Sequence, residues 1–285
     1  MRDIKRRKSS IQGTQQITKA MKLVSTVKLQ RTRAGAEKTK LYFDSMYDTM
    51  NSILKRVGNI DHKYLKQGTN GKTAVIVITS NRGLAGGYNS NVARLVTQNK
   101  DWNQENVVIY SIGNKGREQL KRAGYEIREE LPEVIEDPTY ADAMLLTERL
   151  LKAFEEQEIN EIYLAYTRFK NTVSHIPTLL RLLPVDTGSV QEESSESEPD
   201  LIMNFEPREE EALDLIIPKY ITSLIFGALR EAVASENGAR MQAMDNATSN
   251  AEEMIEDLSL KYNRARQGSI TQELTEIIAG AEALG

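Results

Sequence analysis

The chain has 285 residues, 40% of them hydrophobic and 6% aromatic, with a formal net charge of −4 and a mean hydropathy of −0.47. It has no cysteine and only two histidines, His62 and His175, which excludes disulfide scaffolds, thiolate nucleophiles and His-rich metal sites. The longest apolar run, residues 74–78, is far short of the roughly 20 residues a spanning helix needs, and no apolar stretch follows the basic N-terminus, so neither an integral membrane protein nor a secretory leader is expected.

Charge is divided by segment. Residues 1–40 carry 12 Lys and Arg against Asp3 and Glu37, a balance of +10, and residues 186–215 carry 11 Asp and Glu against Arg208, a balance of −10. A basic helix suits nucleic acid, an anionic membrane or an acidic protein surface. No aromatic residue interrupts residues 1–40, so bases have nothing to stack on, and a pI of about 5.5 does not suit a dedicated nucleic-acid binder.

Residues 3–57 contain no proline and only Gly13 and Gly35 as breakers, which predicts one unusually long helix. Ile17, Ala20, Val24, Val27, Arg31 and Ala34 alternate in steps of three and four; Tyr42, Met46, Met50, Ile53 and Val57 resume that spacing on a shifted phase, as a narrow coiled-coil seam does. Residues 58–72 read as a loop, with Gly58, Gly68, Asn70 and Gly71 as turn chemistry. The β-branched run 73–79 predicts a buried strand. A Gly-rich turn at 82–87 follows, then a helix over 90–99, a strand over 107–112, a helix over 115–123 and a short strand over 125–128. A helix over 140–157, a strand over 161–169 and an antiparallel strand over 173–184 complete this stretch. The alternation predicts an α/β domain at 70–205 with a Rossmann-like, mainly parallel sheet. Residues 187–200, rich in Ser and Glu, read as a mobile surface loop. The helical pattern returns at 209, with Pro218 marking a kink or a helix start and a seam at Met244, Ala247, Ala251, Met254, Leu258, Tyr262 and Ala265.

A helix this long needs an equally long partner, and residues 1–58 are the only candidate. The expected fold is α/β: an antiparallel coiled coil of the terminal helices, 1–58 and 209–285, projecting from the 70–205 domain. The C-terminal helix outruns its partner by roughly 20 residues. There Ile270, Leu274, Ile277, Ile278 and Ala281 form an apolar stripe with no partner left in the chain, which requires another protein to surround it. Just before it, Arg264, Arg266 and Gln267 offer donors suited to carboxylates.

Signals for catalysis are weak. The turn at 82–87 follows a strand and precedes a helix, where a phosphate loop would sit, but its spacing is neither G-x-G-x-x-G nor Walker-type. Glu129, Glu130, Glu133 and Glu136 lie in a charged, exposed stretch without the burial that tunes a catalytic carboxylate. His175 has no serine-hydrolase motif around it and reads as a satisfied or exposed histidine. No catalytic residue, metal ligand or cofactor is assigned.

Three blocks make the chain resemble the gamma subunit of F-type ATP synthase, over essentially its whole length. They are Ile11-Gln-Gly-Thr-Gln-Gln-Ile-Thr-Lys-Ala-Met-Lys-Leu-Val-Ser25, then Ser80-Asn-Arg-Gly-Leu-Ala-Gly-Gly-Tyr-Asn89, and last Ser235-Glu-Asn-Gly-Ala-Arg-Met-Gln-Ala-Met244 together with 270–283. Asn81 and Ala85 stand where that family commonly has Asp and Cys. The resemblance implies a non-catalytic central rotor that couples proton flow to ATP synthesis or hydrolysis. Its partners are three alpha and three beta subunits, the epsilon subunit and the c-ring, at the cytoplasmic face of a bacterial membrane. It implies that Arg266 and Gln267 catch a beta-subunit loop, with Arg240, Thr271 and Glu273 as neighbouring shaft contacts. Met21, Lys22 and Arg82 lie near the acidic moving lever of beta, Phe205 and Glu206 in the c-ring and epsilon contact region, and Ile270, Leu274, Ile277 and Ile278 in the apolar bearing at the tip. Two other readings stand beside it: a nucleotide-binding α/β enzyme with helical arms, resting on 82–87, and a basic coiled-coil protein that binds nucleic acid, resting on 1–40.

Overall fold

The computed structural model describes residues 1–57, 62–66, 68, 71–185 and 209–282, with side chains at all of these except 34–44, 47–52, 54–57, 209, 210 and 282. The loop expected at 187–200, and Phe205 and Glu206, lie outside the described residues. In chain order the elements are α1 (Arg2–Val57), β1 (Lys72–Ile78), α2 (Tyr88–Thr97), β2 (Val107–Ile112), α3 (Asn114–Arg122), β3 (Glu126–Glu130), α4 (Tyr140–Glu155), β4 (Ile159–Phe169), β5 (His175–Leu183) and α5 (Glu209–Glu282). Each element expected from the sequence is present, with ends moved by a few residues. Pro218 does not start the last helix: α5 begins nine residues earlier and runs through it. There the missing N–H removes one helix bond, and the Thr222 hydroxyl donates to the Pro218 carbonyl at 2.8 Å.

By packing, the chain falls into two units whose borders lie within its two long helices. One unit is Met1–Thr26 with Arg240–Gly285; the other is Val27–Ala239.

The unit Val27–Ala239 is built on a five-stranded sheet of order β3-β2-β1-β4-β5, in which β1 to β4 are parallel and β5 is antiparallel to β4. β2 is buried at every residue and β1 at all but Lys72, which is why their sequences are unbroken runs of apolar and β-branched residues. The edge strand β3 alternates exposed Glu126, Arg128 and Glu130 with half-buried Ile127 and Glu129, and the other edge carries Pro177, whose missing donor an edge strand tolerates. One face packs Val75, Val77, Val107 and Ile109 against α2, α3 and Trp102. The opposite face packs Ile76, Ile78, Ile112, Ile162 and Leu164 against α4, Ile53 of α1 and the first part of α5, from Leu213 to Val233. α4 starts on a capping box: the Thr139 hydroxyl accepts the Asp142 N–H at 3.2 Å while the Asp142 carboxylate accepts the Thr139 N–H at 2.9 Å.

The first part of α5 corrects the sequence-based view of apolar length. α5 contains an 18-residue window of mean hydropathy 1.5, apolar enough by length and composition to cross a membrane, although no consecutive apolar run is long. Of that window 56% is buried inside the protein. Packing on the sheet accounts for its composition.

Candidate interaction surface

In the unit Met1–Thr26 with Arg240–Gly285, α1 and α5 run antiparallel. Gln15 Nε2 donates to Glu252 Oε1 at 3.0 Å, the Thr18 and Thr248 hydroxyls meet at 2.8 Å, and Lys22 Nζ lies 2.5 Å from Asp245 Oδ1. The seam on α1 differs from the one expected. Ile17 and Val24 are 63% and 58% exposed, whereas Thr18 and Ser25 are buried. The facing residues are Ile11, Gln15, Thr18, Lys22 and Ser25, one helical position away from the apolar stripe. On α5 the seam is Met244, Thr248, Ala251, Ile255, Leu258 and Tyr262, so the expected Ala247 and Met254 give way to their C-terminal neighbours; Met254 is 53% exposed. Hydroxyls that bond their own helix, such as Thr248 Oγ1 to Met244 O at 2.8 Å, let two backbones approach without leaving a buried donor unpaired.

Met21 and Lys22 share one turn of α1, and Lys22 is already paired with Asp245, so its charge is partly neutralised within the chain. Arg2, Lys5, Arg6, Arg7 and Lys19 are exposed. Arg240 is half-buried on α5. Arg266, Gln267, Thr271 and Glu273 are exposed, as is every residue from 270 to 281. Ile270, Leu274, Ile277 and Ile278 are 48%, 54%, 68% and 60% exposed, so the apolar stripe has no cover within the described residues. The polar side chains of that segment bond along the helix: Gln272 Nε2 donates to Glu276 Oε1 at 2.9 Å, and the Thr275 hydroxyl to Thr271 O at 2.8 Å.

Arg82 belongs to the unit Val27–Ala239, apart from Met21 and Lys22. It is exposed in the turn between β1 and α2, where Leu84 and Gly86 have φ of +64° and +57°. The turn is held by its flanks. The Ser80 N–H donates to Asn89 Oδ1 at 2.9 Å and the Ser80 hydroxyl to Arg82 O at 2.6 Å. Asn81 ties three elements: its Nδ2 donates to Pro132 O at 2.7 Å and its Oδ1 accepts from the Asn114 N–H at 3.1 Å. Glu136 Oε1 lies 3.4 Å from the same Nδ2. Asn81→Asp keeps the acceptor, loses the donor and sets a carboxylate beside Glu136. It should cost about 1–2 kcal/mol at neutral pH in a denaturant melt. Part of that loss should be recovered as the pH falls below about 4, where the introduced carboxyl protonates.

The crevice in which such a fold takes a nucleotide is occupied by the chain itself. With strand order β3-β2-β1-β4-β5, the chain reverses direction between β1 and β4, and the crevice beyond their carboxyl ends is where such folds take a ligand. α5 fills it: the Tyr88 hydroxyl donates to Ala232 O at 3.0 Å, and the fully buried Ser235 donates to Thr167 O at 3.1 Å. Sequence reasoning missed Tyr88 and Ser235, because partners 144 and 68 residues apart leave no periodic signal.

His175 is not satisfied, contrary to expectation. It is half-buried, and its Nε2 is buried with no hydrogen-bond partner among the described residues. A Cβ placed on Gly238 of α5 would sit 2.5 Å from that nitrogen. Burial lowers the His175 pKa below its ordinary value. The unfolded chain therefore takes up this proton first. The stability contribution is complete above about pH 6.5, the unfolded value, and is lost as pH falls through the folded value. Unfolding free energy measured against pH should show this decline, and His175→Phe should flatten it. Gly238→Ala should destabilise by about 1–3 kcal/mol through overpacking, with the deficit smaller in a His175→Ala background.

In the acidic stretch Glu130, Glu133 and Glu136 are exposed as expected, whereas Glu129 is half-buried. Glu129 pairs with Arg149, and Glu130 with Arg117 at 2.7 Å.

Comparison with known proteins agrees with the resemblance. The ATP synthase family model matches residues 1–284. The ATP synthase gamma chain of Lachnoclostridium phytofermentans is 63% identical over 289 residues, covering 100% of this chain and 99% of that one. A sodium ion specific ATP synthase gamma chain from Acetobacterium woodii is 40% identical over 298 residues, covering 100% of this chain and 98% of that one. Among solved structures, a chain of the Euglena gracilis mitochondrial ATP synthase in its OSCP/F1/c-ring assembly aligns with TM-score 0.68 at 20% identity, covering 99% of this chain and 94% of that one. A chain of the Tetrahymena thermophila central stalk and c-ring aligns with TM-score 0.62 at 24% identity, covering 81% of this chain and 99% of that one. The two structural likenesses speak to the fold, the sequence matches to descent, and by them the chain belongs over its full length to the ATP synthase gamma-chain family.

Proposed function

We propose that this gamma chain is the central rotor shaft of its ATP synthase and catalyses nothing by itself. The observation that carries the reading is the end of α5. A helix exposed at every residue from 270 to 281 with an unpaired apolar stripe is built to be enclosed by other subunits. The enclosing surface is a ring of three alpha and three beta subunits. Arg266 and Gln267, with Arg240, Thr271 and Glu273, engage a beta-subunit loop by charge-assisted hydrogen bonds. The basic face of α1 at Met21 and Lys22, and Arg82 of the other unit, meet the acidic lever of beta. Phe205 and Glu206 belong to the region that contacts the c-ring and the epsilon subunit, which places the chain at the cytoplasmic face of the membrane without entering it.

The mechanism is differential contact. An asymmetric shaft favours a different conformation in each beta subunit, and turning it shifts those populations in order. Ion flow turns the shaft during synthesis; hydrolysis turns it in reverse. The filled crevice at the β1–β4 switch point argues against the nucleotide-binding alternative.

Reconstitution tests the reading. The chain, mixed with matched alpha and beta subunits, should join as a single copy per hexamer and support multisite ATP hydrolysis. Truncation after Gln267 should weaken torque or the stability of the assembly. Failure to join, with stoichiometric nucleotide or duplex DNA binding by the isolated chain, would overturn it.

A further inference from the structure

Within the unit Val27–Ala239, a polar cluster joins four pieces of chain distant in sequence. Lys63, just beyond α1, places Nζ 2.9 Å from Glu155 Oε1 at the end of α4 and 3.1 Å from Asp214 Oδ1 near the start of α5. The Tyr64 hydroxyl donates to the same Glu155 oxygen at 2.7 Å. His62, 5% exposed, has Nε2 3.3 Å from Asp214 Oδ1, and its Nδ1 accepts the Tyr64 N–H at 3.3 Å, so the ring proton is assigned to Nε2. Beyond β5, the Val185 N–H donates to Tyr64 O at 3.1 Å. The Tyr64 ring packs 6.2 Å from that of Phe154 and carries the Lys63 ammonium over its face at 4.9 Å.

Lys63 and Glu155 hold each other charged. The Tyr64 hydroxyl, then Lys63, keeps the Glu155 carboxyl below its ordinary value. Burial lowers the Lys63 pKa, but the bonds to Glu155 and Asp214 outweigh it and raise the ammonium above its ordinary value. Lys63 therefore separates two carboxylates that would otherwise repel.

We propose that this cluster is a torque clasp, with Lys63 as its central positioning residue: it stops the chain beyond α1 and the start of α5 from slipping against α4 when the shaft is loaded. The proposal rests on the rotor reading. Its physical ground is direction. The apolar core between α5 and the sheet resists separation, but the hydrophobic effect itself has no preferred direction. Hydrogen bonds and ion pairs lose energy steeply when their geometry is sheared. Lys63, Glu155 and Asp214 are 48%, 43% and 49% exposed, so as equilibrium contacts they are screened and weak. Their value lies in holding position under load.

The test uses the assembled complex, with a rod on the α/β unit and the ring fixed to a surface. Angular fluctuation of the stalled rod reads torsional stiffness, and ATP hydrolysis by the same complexes reads assembly and chemistry. Lys63→Met should raise the mean-square angular excursion, because the clasp loses the charge that bridges Glu155 and Asp214. Hydrolysis should stay within error of the parent, and Lys63→Arg should restore the stiffness. Should Lys63→Met fail to assemble, Tyr64→Phe removes one bond only and should soften the shaft in the same sense. Salt raised from 0.05 to 0.5 M supplies a second readout, softening the parent more than Lys63→Met (Debye lengths fall from about 14 to 4 Å over that range). In the free chain, Lys63→Met should speed exchange of the Val185 amide roughly two- to fivefold. Rods that rotate with unchanged stiffness in Lys63→Met and Tyr64→Phe, at either salt, overturn the clasp and leave the rotor reading intact. Chains that never turn the rod overturn both.

Discussion

Replacing Ile270, Leu274, Ile277 and Ile278 together by serine should release the shaft from its ring while leaving the free chain as stable as before. All four side chains are half or more exposed or close to it in the chain alone, so their loss removes little packing there. On the proposed rotor reading the ring would enclose each of them, and burying such a side chain is worth about 1.5–3 kcal/mol. Much of that is offset by the freedom lost on association, so a net weakening of about 3 kcal/mol, roughly 100-fold in retention, is expected. Gel filtration of reconstituted complexes at falling concentration reads the retention, and a thermal melt of the isolated variant reads the control. Equal retention of parent and variant would show that the tip is not a bearing.

The second large effect is expected at Gly113, where β2 passes into α3. Its φ is +91°, and a Cβ there would stand 2.0 Å from the Thr79 carbonyl oxygen at the end of β1. That carbonyl cannot retreat, because the Thr79 N–H donates to Ile112 O at 2.8 Å and Thr79 Oγ1 accepts the Gly116 N–H at 2.9 Å. Gly113→Val should therefore destabilise the α/β unit by about 3–5 kcal/mol, combining backbone strain with a clash against fixed backbone. Trp102, the single tryptophan, is packed in the cluster that α2 and α3 cover, so its fluorescence reports this unit in a denaturant titration. Gly83→Ala, with nothing within 4 Å of its added carbon, should leave the midpoint unchanged. Gly113→Asn should fail as badly, because a ψ of 141° lies outside the left-handed region that asparagine tolerates and the clashing carbon remains.

How much of this was legible beforehand follows from the range over which each signal acts. The absence of proline from residues 3–57, and the β-branched runs at 73–79 and 107–112, act within one element, and α1, β1 and β2 stand where those signals put them. The stripe at Ile270, Leu274, Ile277 and Ile278 needed only helical spacing and the length difference between the two terminal helices to read as unpartnered, and those residues are exposed. The parallel sheet followed from strands separated by helices. The family followed from blocks at 11–25, 80–89, 235–244 and 270–283, since local strings survive in a sequence.

Tertiary structure alone decided the rest. On α1 the apolar residues Ile17 and Val24 pointed to one seam and packing chose the next position, Thr18 and Ser25, where the Thr18 hydroxyl meets that of Thr248 on the facing helix. The first part of α5, read as shaft, is the helix that covers the sheet from Leu213 to Val233. The crevice that a Rossmann-like topology offers to a nucleotide is closed by Ala232 and Ser235. The cluster at Lys63 joins residues 92 apart, and others are farther still. Local propensity and periodicity determine which elements form and which faces are apolar. Which of those faces meet, and which polar groups they bring within bonding distance, is set by the three-dimensional path of the chain, which no repeat of 2 or 3.6 residues records.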